Sequence, residues 1–216
     1  MTHYWPISNG QATDVIGTFD MSQGSLTYFT SDRFGCPNSA LALNGGWTQV
    51  PSEIYFNTPE FTISVWVYPQ QVGYHARVID FGNGQSDNVI LKLDSSSDNK
   101  PSFKICIGST NSTQVVSNQS LVQNQWQLLT ATFNSTTMSI YLNETLEKSL
   151  NFVFTMPQSL VRANNYIGKS NSPSDNYSWS ILDDLRFYNK CLGQSDIIQL
   201  VNSNASKLYK LFALLV

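Results

Sequence analysis

The sequence predicts an all-β protein, an antiparallel sandwich of two sheets with one short helix near its C-terminus. Three observations carry this. Hydrophobic residues recur with period two rather than 3.6. The alternating runs are short and are divided by clusters of Gly, Asn, Asp, Ser and Pro. Helical spacing appears convincingly in one short stretch only, at about residues 193–202.

The strands follow in order. In EFTISVWVYP, Phe61, Ile63, Val65 and Val67 share one face, and Thr62, Ser64, Trp66 and Tyr68 the other. NVILKLD groups Val89, Leu91 and Leu93, SFKICIG groups Phe103, Ile105 and Ile107, and TMSIYLN groups Met138, Ile140 and Leu142. WQLLTATF is a further β run. YPQQVG, FGNGQSDN, SSSDNKP, STNST, VQNQ, FNSTT and SNSPSDN read as the turns between them. Near the end, Ile197, Ile198 and Val201 have helical spacing, Ser195 is an N-cap candidate and Asp196 falls in the first turn. No interior stretch breaks the rhythm, so residues 1–205 read as one domain and 206–216 as a tail.

Composition narrows the function. The chain has 216 residues, 41% of them hydrophobic, enough for one sizeable core. Only 12% are charged and the net charge is −3, with no Lys/Arg cluster, which argues against a nucleic-acid or anionic-lipid surface. Solubility rests on Ser, Thr, Asn and Gln, a balance common in secreted β proteins. The tail KLYKLFALLV ends on six apolar residues, far short of the ~20 that span a bilayer, so direct membrane insertion is not expected. MTHYWPISNG has neither the basic start nor the apolar run of a signal peptide, and structured sequence begins almost at once. A piece of a larger secreted or surface protein is the expectation. Cys36, Cys106 and Cys191 lack metal-site spacing; one disulfide with a free thiol fits, and so does none.

FTISVWVYP, VIDFGNG, WQLLTATFNSTTMSIYLN, YIGKS and LDDLRFYNKCLGQSDI occur in that order. This ordered set resembles the LamG-like, concanavalin A-like jelly-roll superfamily, in its Laminin_G_3 and pentraxin-like branch. HYWPI, a polar Asp/Gly loop and NSALALNGG as second strand are similar to that family's opening. The resemblance covers roughly residues 3–203 and implies a two-sheet jelly roll. It leaves the ligand open, because this fold hosts many functions.

Several sites follow. Laminarinase-like members carry Glu-x-Asp-x-x-Glu on one strand, flanking the scissile bond as glycosidases require. This chain has no such string; Glu144 and Glu147 are wrongly spaced, and no activity is expected. The pentraxin resemblance offers Asp87 and Asn88 as calcium ligands, but Lys169, Ser170, Asn171 and Ser172 stand where further acidic ligands are needed. The alternative is that Asp87-Asn88 caps a turn. Tyr74, Tyr177 and Trp179, in or beside loops, are candidate sugar platforms. DDLRFY resembles the last strand of laminarinase and lichenase relatives, where an Asp binds a structural calcium ion. That resemblance implies Ca2+ on Asp183, with backbone carbonyls near Trp5 or Pro6 and Gly45 or Gly46. Alternatively, backbone N–H groups or Arg186 satisfy Asp183. By parity Asp183 lies with Ile181, Leu185 and Phe187, and Asp184 with Arg186 and Tyr188. The fold brings the first, second and last strands close together, which implies a Cys36–Cys191 bridge with Cys106 free. Asn111, Asn118, Asn134, Asn143, Asn176 and Asn204 begin glycosylation sequons in loops, at hairpin ends or on non-core parity. The expected role is an extracellular module that recognises a glycan or a protein in adhesion or matrix contexts. The alternative is a ligand-free spacer in a multidomain surface protein.

Overall fold

The computed structural model describes residues 1–22, 24–71, 73, 75–156 and 160–203. Two antiparallel sheets pack face to face. The back sheet runs β11 (Thr145–Asn151), β10 (Thr137–Leu142), β9 (Gln127–Phe133), β4 (Phe61–Gln71), β13 (Ser178–Tyr188), β3 (Ala40–Val50) and β2 (Ser25–Thr30). β1 (His3–Trp5) pairs with the far end of β13. The front sheet runs β3, β12 (Asn164–Ile167), β5 (Arg77–Asn83), β6 (Ser86–Lys92), β7 (Ser102–Ile107) and β8 (Asn111–Val116). β3 belongs to both sheets: residues 41–46 pair with β13, and residues 48–50 pair with β12. The tail 206–216 lies outside the described residues.

The expected alternation places Phe61, Ile63, Val65 and Val67 in the core with Val89, Leu91, Phe103, Ile105, Met138 and Ile140. Ser25–Thr30 is a strand the alternation does not announce, because on this edge position its residues are exposed or half-buried throughout. Ala40–Val50 is therefore the third strand, not the second. Between β1 and β2, Asp14 closes the polar loop by accepting the N–H groups of Tyr4 and Gly17, each at 2.9 Å. The helix α1 (Gln194–Asn202) starts from Gly193 rather than Ser195, and Asp196 accepts the Gly193 N–H at 3.2 Å. Ile197 packs with Tyr141 and Leu192 on the outer face of the back sheet. Among the described residues no helix is long and apolar enough to cross a membrane.

The parity of β13 changes midway. Four residues of β13, Asp183 to Arg186, face three of β4, Trp66 to Ser64. The extra residue is a β-bulge, and Asp184 takes φ 52° there. Leu182, Leu185 and Phe187 therefore all enter the core. This corrects the simple alternation: Asp183 is not on the side of Leu185 and Phe187.

Candidate functional site

Both carboxylates of the bulge are buried, and the partner is Arg33, from the β2–β3 hairpin. Its Nη1 donates to Asp183 Oδ2, and its Nη2 donates to Asp184 Oδ2 at 2.8 Å. The guanidinium stacks over Trp66, 4.7 Å from the ring centre, and over Phe34 at 4.5 Å. Asp184 also accepts the Tyr4 hydroxyl at 2.5 Å and lies 3.1 Å from Arg186 Nη2. Burial and the Asp184 charge push the Tyr4 hydroxyl well above its ordinary pKa.

This arrangement does not fit calcium at Asp183, because the positive guanidinium of Arg33 already pairs with both Asp183 Oδ2 and Asp184 Oδ2. The expected carbonyl donors are also dispersed. Trp5 lies opposite Leu185, whereas Gly46 lies opposite Ser178, roughly 16 Å along β13 from Asp183 at ~3.3 Å per residue. Pro6 follows Trp5, and Gly45 serves a different purpose described below. Among the described residues no group of three or more His, Cys, Asp or Glu side chains is placed to hold a metal ion.

Asp87 and Asn88 lie at the start of β6, just after the Gly84-Gln85 turn, and are engaged in hydrogen bonds there. Asp87, at φ 58°, accepts the Gly108 N–H at 2.7 Å and the Ser86 hydroxyl at 2.9 Å. Asn88 donates to Asp80 Oδ1 at 2.6 Å and to the Gly84 carbonyl at 2.9 Å. The implied Cys36–Cys191 bridge is corrected: Cys36, Cys106 and Cys191 are all free thiols. After β13 the chain crosses β4, so Cys191 settles against Thr132 of β9, while Cys36 stays in the hairpin that leads into β3. Of the sequon residues, Asn111, Asn118, Asn134 and Asn176 are exposed and Asn143 is half-buried. Asn204 lies outside the described residues, as does Tyr74.

Tyr177 and Trp179 do come together, in a groove of about 710 Å³ at one end of the sandwich. They are 45% and 38% exposed, far above the core aromatics. Trp179, the second residue of β13, lies in register with Asn44 of β3 on one side and Gln71 of β4 on the other. Its indole rests on Gly45: a Cβ there would come 2.8 Å from the ring, and φ is 66°. Leu26 of β2 and the segment 173–176 complete the walls. The groove thus offers an indole face, the carboxamides of Asn44, Gln71 and Asn176, which both donate and accept, and a phenol.

Comparisons with known proteins agree with this architecture. Residues 43–198 match the family described as Laminin_G_3, the concanavalin A-like lectin/glucanases superfamily. Among solved structures, the fold is similar to domain 4 of AbnA, a GH43 extracellular arabinanase from Geobacillus stearothermophilus, in complex with arabinotriose. The TM-score is 0.79 at 18% identity, over 93% of this chain and 97% of that one. It is similar to the binding domain of Paraclostridial Mosquitocidal Protein 1, with TM-score 0.74 and 15% identity over 94% and 52%. It also resembles a botulinum neurotoxin type C structure, from work on cell entry that depends on two ganglioside molecules. There the TM-score is 0.72 at 18% identity, over 94% and 50%. The chain spans about half the length of these toxin chains. A search of the curated proteins finds no match. These identities carry the likeness in fold, and the sequence match spans most of the chain: it belongs to the concanavalin A-like lectin/glucanases superfamily, in the Laminin_G_3 family.

Proposed function

We propose that this domain is a non-catalytic carbohydrate-binding module of an extracellular or surface protein, and that it takes its glycan in the groove at Trp179. The observation that carries this reading is the exposed indole flanked in register by Asn44 and Gln71. A sugar ring presents C–H groups to an aromatic face and hydroxyls around its edge. An indole beside two carboxamides meets both needs. The solved likenesses include a domain holding arabinotriose and a toxin linked to gangliosides, which supports a glycan over a protein ligand. The non-catalytic reading is supported by the sequence, which lacks the Glu-x-Asp-x-x-Glu string of the laminarinase-like members.

The test is a glycan array containing arabino-oligosaccharides and ganglioside headgroups, followed by calorimetry on the best hit. Asn176 lines the groove, so the protein is made without N-glycosylation. Trp179→Ala should weaken binding about tenfold or more, at least ~1.4 kcal/mol. Asp87→Ala should leave it unchanged. Binding that survives Trp179→Ala undiminished moves the site elsewhere, and an array without a hit leaves the spacer role.

A further inference from the structure

On the outer face of the back sheet, side chains stand in rows across the strands, one row every second residue, roughly 7 Å apart. The row at the groove is Asn44, Trp179 and Gln71. The next row is Tyr28, Ala42, Ile181 and Tyr68: Tyr28 lies in register with Ala42, Ala42 with Ile181, and Ile181 with Tyr68. Leu41, Leu43, Val67 and Leu182 alternate with these residues and turn to the core, so the row faces outward. Trp126, just before β9, extends it, with its ring centre 5.6 Å from that of Tyr68. Tyr28 is 50% exposed, and Ile181, Tyr68 and Trp126 are half-buried. Beyond this row the face closes. Trp66, two residues before Tyr68 on β4, is buried beneath the Arg33 guanidinium, and Ser64 and Thr62 are fully buried.

The second row is continuous with the groove, so a chain seated on Trp179 that runs on along the strands meets it next. Tyr28 and Tyr68 are three strand spacings apart, roughly 14 Å at ~4.8 Å each, wider than one sugar ring. The hydroxyls of Tyr28 and Tyr68 and the indole N–H of Trp126 set hydrogen-bonding groups at the edges of apolar faces, the same mixture as in the groove. Neither row holds a residue that is charged near neutral pH. Among the described residues, Asp175 is the charged one that lines the groove, and Arg77 pairs with it. An acidic sugar, such as that of a sialylated headgroup, would lose water here with no basic side chain on either row to meet its carboxylate. A neutral sugar bears no such cost.

Given the groove as the glycan site, on which this rests, we propose that the ligand is a neutral oligosaccharide whose further units lie on the row of Tyr28, Ile181, Tyr68 and Trp126. The probes are linear arabino-, xylo-, cello- and galacto-oligosaccharides, from monosaccharide to pentasaccharide, and a sialylated ganglioside headgroup. Calorimetry is run on protein made without N-glycosylation. At least one neutral series should bind more tightly as it lengthens. Tyr68→Ala and, separately, Tyr28→Ala should weaken its pentasaccharide roughly fivefold or more, as loss of an aromatic anchor does. Both should leave the shortest member that binds unchanged, which also shows that the variant is folded. Tyr28 lies exposed on an edge strand, so its variant decides if Tyr68→Ala lowers the short ligand as well. Trp179→Ala should weaken every length. Affinity that does not grow with length, or a pentasaccharide indifferent to both tyrosine substitutions, would overturn the row and leave the groove. Binding of the ganglioside headgroup alone would overturn the neutral class and leave the groove. Absence of binding by every probe would overturn row and groove together.

Discussion

Asp183 and Asp184 are adjacent carboxylates, 0% and 1% exposed, and Arg33 spans them. A buried ion pair adds little net stability over a well-packed apolar replacement, but removing one partner is expensive. Arg33→Ala should therefore cost about 3–5 kcal/mol. For a domain of this size that lowers Tm by roughly 6–20 °C. Thermal melts of wild type and variant measure it. The same melts decide between guanidinium and calcium. With Arg33 on the carboxylates, wild type should melt at one temperature in calcium and in chelator; a chelator-dependent fall would return a metal to Asp183. Arg33 is 150 residues from Asp183 in sequence, in a hairpin that simple alternation does not describe. No local pattern names it, although DDLRFY does announce that a partner is needed.

At the scale of elements, alternation reads strands well where both neighbours are regular. Phe61, Ile63, Val65 and Val67 reach the core as their spacing predicts. It fails at β13, because a bulge slips parity by one and nothing at Asp184, neither Gly nor Pro, marks it. The Trp179 groove was half legible. An aromatic residue beside a loop draws attention, but Asn44 and Gln71 join it only through the register of β3 and β4 on β13, which is itself shifted beside Trp179. One glycine shapes the loop beside the groove. Gly168 starts that loop at φ 82°, and a Cβ there would come 2.7 Å from the Gly46 carbonyl oxygen. Gly168→Ala should cost at least about 1–3 kcal/mol for the left-handed backbone alone. Urea melts would show it. Wild-type stability in that variant would mean that the loop relaxes freely.

Across the whole molecule a low charge density leaves few groups to set the response to pH, and Lys92 is prominent among them. It sits on the outer face of the front sheet, where burial first, then Arg77 and Lys104, lower its pKa from 10.5 to about 8. Below about 8 both folded and unfolded chains carry the charge, and the folded state bears the full penalty. Between about 8 and 10.5 the unfolded chain binds more protons, so this group makes stability rise with pH; above 10.5 the penalty is gone. Other groups act in the opposite direction. Burial raises the pKa of the Cys106 and Cys191 thiols and of the Tyr4 and Tyr55 hydroxyls, so the stability they contribute is lost as pH rises past their unfolded values. The contribution of Lys92 is therefore read as a difference. Lys92→Met keeps the other groups and removes the buried charge, so it should be more stable than wild type near pH 7. That advantage should shrink steadily as pH rises from about 7 to 10. Urea unfolding of both proteins across this range measures it, and an advantage that stays constant with pH would show that Lys92 is charged in the fold throughout.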